Sequence, residues 1–514
     1  MHDYIPIFHR QSFTSAVAQQ GLDCTTPLLV YAIIALAAGC HPDPTVRSCQ
    51  QSWFDEAKSL YAATGHSPDH PLETLQAAAC ILLQALITAE HSTAWLVLGK
   101  AWRQAVALGF HRMDGGNPVA MPGVTPPTLS TKAGNTQDWR RLEQCRRVVW
   151  MLFMLDRGMC FPIGLTHAID DRQLRINLPM TNDVFQGSDV LETSQAQEQP
   201  LLFTHNYRRM LSLIQNRTRR NQNLDDRNPW HYLVLAYMLL GRIMEHLHSP
   251  EYGLDDDDTD HTWQSERQEL EQDLGQTRLV LPRWATELAA SSYTDFKQVV
   301  WLKVVMNVNT VLLDHRPAIP KQQHQQHNNP SAADRDTDGT GSWQHCVAAA
   351  CNTALLIREA SRVSTDLVVN PHIAAPIFTC GRVLVIEHLK NNTNNHTSGH
   401  KRHSSSNSNS LLQTDLEVLF LIFDRMSEAF GGVGNKFRDG LLYHLGRSPA
   451  ELMAIKQGGS RQLLTSCGTW PQQQNQNMVM GGSDSGADQE DYNRDGGMRM
   501  RYDNGGMVMD TSPS

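Results

Sequence analysis

Apolar residues along this chain recur at spacings of three and four and almost never alternate. Leu72, Leu75, Ala79, Leu82 and Leu86 draw one stripe along a helix, and Trp95, Leu98, Trp102 and Val106 draw another. A polar break near 90–93 separates them, with Ser92 or Thr93 placed to cap the second helix. The pair predicts an antiparallel helical hairpin, ended by Gly109. A third helix is predicted over about 139–158. Trp139, Leu142, Arg146, Val149 and Phe153 share one face, and Val148, Leu152 and Leu155 widen it. A helix this apolar needs partners for Arg146, Arg147, Asp156 and Arg157. Leu28 to Ala38 reads as a buried helix. Helical patterns also fall near 200–220, 228–248, 263–280, 293–315, 343–363, 372–390, 410–430 and 436–446. The predicted fold class is therefore all-α, a multi-helix array of antiparallel helical hairpins.

Polar stretches interrupt this pattern at 113–137, 181–199, 251–262, 319–341 and 391–409, and helical signals resume on either side of each. They read as disordered insertions within one body spanning 1–450. Residues 468–514 form a low-complexity tail with seven acidic residues against three arginines, interleaved with Trp470, Tyr492, Tyr502 and several methionines. Acidic groups that keep apolar side chains solvated suit an activation segment.

The chain has 514 residues and a net charge of -9. That balance gives no basic surface able to hold nucleic acid unaided. No apolar run reaches the roughly 18 residues of a membrane span. The start MHDYIPIFHR lacks a signal-peptide pattern, so an intracellular compartment is expected. None of the ten cysteines pairs as CxxC, the spacing that zinc sites use to deliver two thiolates from one turn. Most sit in apolar stretches and read as small buried residues. His246 and His248 are two apart on a predicted helix and diverge. His324 and His327 lie in a Gln/Asn-rich loop, and Cys346 and Cys351 are five apart. No HExxH, P-loop, GxSxG or dinucleotide fingerprint is present.

The stretch from Thr93 to Pro179 carries the most specific signal. AWRQAVALGFHR contains Trp102, His111 and Arg112; RRVVWMLFMLDR contains Arg146, Arg147, Trp150, Asp156 and Arg157. Ile169-Asp170-Asp171 and Leu178-Pro179 follow. This stretch resembles the fungal-specific transcription factor domain, the helical regulatory region found downstream of a binuclear zinc cluster held by six cysteines. Pro6-Ile7-Phe8-His9, Trp53 to Leu60, Leu281 to Trp284 and Cys380 to Leu389 resemble flanking parts of the same domain. Gly164-Leu165-Thr166 departs from it, standing where the family usually has Gly-Arg-Pro.

The resemblance implies a nuclear regulator of transcription by RNA polymerase II, acting by binding and not as an enzyme. Trp95, Trp102, Trp139, Arg147 and Asp156 are expected to be architectural. No cofactor is expected in this chain; zinc belongs to an N-terminal cluster missing from it. Promoter DNA is expected to be reached through that cluster or through a partner chain. Co-regulators of the transcription machinery, a small-molecule effector and a homodimer are further implied partners, and no membrane is. One alternative is a stand-alone adaptor that reads no DNA. A remote alternative is a helical, metal-dependent isoprenoid diphosphate enzyme, because Asp256-Asp257-Asp258-Thr259-Asp260 satisfies DDxxD. The run follows Ser249, Pro250 and Gly253 and reads as a solvated loop. Its companion motif is half present, with Asn182-Asp183 in place but Gln186 where a serine is needed.

Overall fold

This computed structural model describes residues 4–19, 26–65, 68–115, 136–161, 166–187, 200–220, 228–249, 257–292, 294–316, 340–397 and 405–468. Among them the fold is all-α. The first six helices are α1 (Arg10–Ala18), α2 (Pro27–Ala38), α3 (Pro44–Ser48), α4 (Gln50–Ala63), α5 (Pro71–Ile87) and α6 (His91–Ala107). α7 (Thr136–Cys160), α8 (Asn182–Gln186), α9 (Tyr207–Arg220), α10 (Pro229–His248) and α11 (Asp257–Val280) follow. After the single turn α12 (Arg283–Thr286) come α13 (Phe296–Asp314), α14 (Thr340–Val363), α15 (Ala374–Thr397), α16 (Ser405–Phe430) and α17 (Gly432–Leu445). The short helices α18 (Pro449–Gln457) and α19 (Gly459–Gly468) end the described chain. Extended chain pairs only at one bridge among the described residues, Asn177 with Leu202.

Sequential neighbours pack together: α2 on α4 and α5, α5 on α6 and α7, α7 on α10, α10 on α13, and α13 on α14. α15 then gathers α14, α16, α17 and α18. One continuous core runs from Ile5 to Leu464. α7, α10 and α13 are its central rods. Each is buried on nearly every side, which suits helices that are apolar all round. α18 and α19 carry no strong stripe in the sequence, yet Leu452, Ile455, Leu463 and Leu464 are buried. The Ser460 hydroxyl donates to Leu312 O at 2.6 Å, and Arg461 donates to Leu247 O and Ser249 O. The helical body therefore continues beyond residue 450.

Several boundaries differ from the sequence reading. α6 begins at His91 behind Glu90, so neither Ser92 nor Thr93 caps it; the Thr93 hydroxyl instead donates to the Glu90 carboxylate at 3.0 Å. The buried face of α6 is Ala94, Leu98, Ala101, Trp102 and Ala105. Small alanines let α5 and α6 approach closely, which turns Trp95 outward, 42% exposed. All five polar insertions are partly helical: α11 starts at Asp257, α14 at Thr340, and α15 and α16 extend to Thr397 and from Ser405. α8 occupies part of 181–199, and α7 starts at Thr136. Asp255 and Asp256, Gly164 and Leu165, His324 and His327, and the tail from Thr469 onward lie outside the described residues.

The α5–α6 hairpin closes in the Schellman pattern. The Glu90 amide donates to Ala85 O at 2.7 Å and the Ala89 amide to Leu86 O at 3.2 Å. Ala89 must then adopt φ 64°, the left-handed region that glycine favours. The cost of a Cβ there is about 1–2 kcal/mol. Ala89→Gly is expected to raise the unfolding free energy by about 1 kcal/mol in a urea titration, against the usual penalty for adding glycine.

Candidate functional site

The signature residues gather around α7. Between Arg140 and Phe161 this helix buries most of its residues, so its charges need partners inside the protein. The Glu143 carboxylate, fully buried, accepts from Arg147 Nε at 2.9 Å and from the Met180 amide at 2.8 Å. Arg147 spends its remaining donors mostly on backbone. Nη1 donates to Pro6 O at 3.1 Å and Asn182 Oδ1 at 2.8 Å, and Nη2 donates to Met180 O at 2.7 Å. Its guanidinium lies 4.1 Å from the centre of the Phe185 ring. One side chain thus joins the N-terminal segment, the stretch before α8, and α7.

Beside it on the helix, Arg146 makes a two-pronged ion pair with Asp114, at 2.8 and 2.6 Å. Asp114 also accepts from the Asn177 amide at 2.8 Å. The Trp150 indole N–H donates to Asn177 O at 2.8 Å, and its ring meets Phe153 and Phe203 edge-on. At the far end of α7, Asp156 accepts from the Ala168 and Ile169 amides at 3.0 and 3.1 Å. Arg157 pairs with Asp156 at 2.5 Å and donates to Ile169 O at 2.8 Å. Trp102 meets His111 edge-on at 6.2 Å, and His111 O accepts from the Arg175 amide at 2.8 Å. Arg112 is exposed and reaches Gln173 O at 3.4 Å. Trp139 is partly exposed, with Arg140 over its ring.

Seven of the eight signature residues therefore sit inside or against one network, and Arg112 sits at its edge. The sequence reading missed their partners. Glu143 stood four residues before Arg147, a helical pair spacing that could have revealed it. Asp114, Asn177 and Asn182 gave no local signal, because only the tertiary fold brings them to α7.

Chemistry elsewhere is similarly occupied. Asn182 Oδ1 also accepts from the Trp230 indole at 3.3 Å, and Gln186 bonds Phe8 O and the Arg10 amide, so the half diphosphate motif is engaged in packing. His246 stacks on Trp263 at 4.6 Å and faces Glu266. Among the described residues no group of three His, Cys, Asp or Glu is arranged for a metal. Eight of their cysteines are free. Burial pushes the Cys80, Cys145 and Cys380 thiols up to about 12, away from the thiolate a zinc ligand requires. These residues do not fit a zinc cluster. No helix among the described residues is long and apolar enough to cross a membrane.

Residues 1–278 match the model of the family described as fungal specific transcription factor domain. The chain belongs to that family. The match ends within α11, so it contains the whole network around α7. The asperfuranone cluster transcription factor of Emericella nidulans is 24% identical over 202 residues, 37% of this chain and 29% of that protein. The pigment biosynthesis transcriptional activator of Monascus ruber is 22% identical over 191 residues, 36% of this chain and 33% of that protein. The ascochitine biosynthesis cluster transcriptional regulator of Didymella fabae is 26% identical over 191 residues, 36% and 31% of the two chains. The matches thus span about a third of these relatives' length. No solved structure matches the chain significantly.

Removing one member of a buried ion pair leaves the other charged and unpartnered, at a cost of about 3–5 kcal/mol. Arg147→Met is expected to destabilise the chain by that amount in urea titration. The double variant Arg147→Met/Glu143→Met should recover part of the loss. Histidines give a second expectation. Burial pushes His111, His315 and His372 from an ordinary 6.5 to about 4, with Arg112 adding to the effect at His111. Their folded values lie below the unfolded ones, so the unfolded chain binds more protons between pH 6.5 and 4. This contribution to stability is complete above pH 6.5, falls as pH drops through that window, and levels off below 4. Urea titrations at pH 7, 5.5 and 4.5 should show the decline.

Proposed function

We propose that this chain is the regulatory part of a transcription regulator of the fungal zinc-cluster type, acting in the nucleus on a set of RNA polymerase II promoters. The carrying observation is the family match over residues 1–278, which contains the entire α7 network. The relatives' names support a biosynthetic gene cluster as the target set, since asperfuranone, pigment and ascochitine production are what those proteins are named for. DNA is read by a binuclear zinc cluster, in the same polypeptide or in a partner; the family resemblance supports this, and the residues described here do not themselves supply the ligands. The helical body acts by binding. Its signature side chains are engaged with backbone carbonyls and amides, a use that suits architecture rather than turnover. Co-regulators and a small effector are the partners that follow from this reading.

Two measurements on the tagged protein in its native host test the reading. Chromatin immunoprecipitation should enrich promoters of contiguous biosynthetic genes, and deletion of the gene should change transcripts of the bound set. Absence of promoter enrichment together with unchanged transcripts would contradict it.

A further inference from the structure

A cavity of about 50 Å³ lies where α5, α7, α10, α15 and α17 meet. Leu83, Met154, Leu155, Met159, Val433 and Phe437 form its apolar walls, and Gly158 and Ala375 leave it room. Its polar groups are few. Lys436 Nζ lies 2.5 Å from His91 Nε2 at the rim, and burial beside that ammonium pushes His91 down to about 4. The ammonium donates to a neutral ring, whose buried Nδ1 has no hydrogen-bond partner among the described residues.

The other two polar groups are held by Trp301. The Tyr237 hydroxyl accepts from the Trp301 indole N–H at 2.9 Å, and no described residue accepts the phenol's own proton. The His372 ring stacks on Trp301, with centroids 4.4 Å apart and planes at 13°. Its Nε2 donates to Tyr4 O at 2.8 Å, which fixes the tautomer and leaves Nδ1 as an acceptor with no described partner. One tryptophan therefore presents a donor and an acceptor to the same apolar space. Buried polar groups left unpaired are costly, so the geometry favours an occupant that pairs with both.

We propose that this cavity is a binding site for a compact, neutral, hydroxylated aromatic molecule. Its oxygen accepts from Tyr237, its hydroxyl donates to His372 Nδ1, and its ring lies against Met154 and Met159. The empty space is smaller than the roughly 150 Å³ that accommodates a benzene ring. The two methionines supply the difference, because an unbranched thioether with three rotatable bonds repacks readily. The inference gives the effector of the proposed regulatory reading a place and a chemistry, and it rests on that reading only for its biological use.

Phenol titrated calorimetrically into the purified full-length chain tests it. One saturable site is expected, with toluene, which has the same ring and no hydroxyl, binding at least fivefold more weakly. Tyr237→Phe should weaken phenol at least fivefold and leave toluene unchanged; Ala375→Leu should abolish binding of both. No saturable phenol binding to the wild-type chain, meaning that water alone fills the space, would overturn the proposal. Equal affinity for phenol and toluene would also overturn it, and needs no variant to fold. The isotherm does not depend on promoter occupancy, so this proposal and the transcription reading fail separately.

Discussion

The structure depends on the pairing of charges that α7 carries into the core. A helix buried on nearly every side loses water around Glu143, Arg147, Asp156 and Arg157 at once. Desolvation at that depth costs several kcal/mol per ion unless each charge is both paired and fully hydrogen-bonded. The chain meets most of the demand with backbone, while Glu143 Oε2, 3.6 Å from the Arg146 guanidinium, and Arg157 Nε make no hydrogen bond among the described residues. Pro6, Met180 and Ile169 offer carbonyls, while Met180, Ala168 and Ile169 offer amides. The same bonds solve a second problem, since buried irregular backbone has polar groups of its own to satisfy. Neither the charges nor the irregular segments could be buried here without the other.

That exchange shapes what the protein can do. The segments before α8 and around 166–171 are fixed in place by α7, and α8 holds the N-terminal segment through Gln186. Most polar groups of the signature are thereby engaged; His111 Nδ1 and Arg157 Nε make no hydrogen bond among the described residues. A cavity lies beside the C-terminal half of α7, where Met154, Leu155 and Met159 meet the C-terminal helices.

The all-α class and most long helices were legible because an apolar stripe at a 3.6-residue period is local information. α5 and α6 show it, while α7, α10 and α13 are apolar on nearly every side. The places where the reading differed have local causes too. Trp95 falls on a stripe with Leu98 and Trp102 in the sequence, but Ala94, Ala101 and Ala105 complete the buried face and Trp95 lies outside it. Asp257, Thr340 and Ser405 begin helices in polar sequence, where composition suggested loops. α18 and α19 have weak patterns and are held by Arg461, Ser460 and four leucine and isoleucine side chains. In the network itself, the arginines and aspartate of α7 were visible by type. Asp114, Asn177 and Asn182 were not, since their distance from α7 in the sequence hides a contact that only the fold creates.

Native-state hydrogen exchange of the Ile169 and Met180 amides tests the central claim most directly. Both lie in irregular chain, where exchange is ordinarily fast. If the buried carboxylates of Asp156 and Glu143 hold them, they should exchange only by opening of the whole body, with protection equal to that of mid-α7 amides such as Leu152. Exchange at the rate of an open loop, while α7 stays protected, would show that the charges of α7 do not anchor these segments.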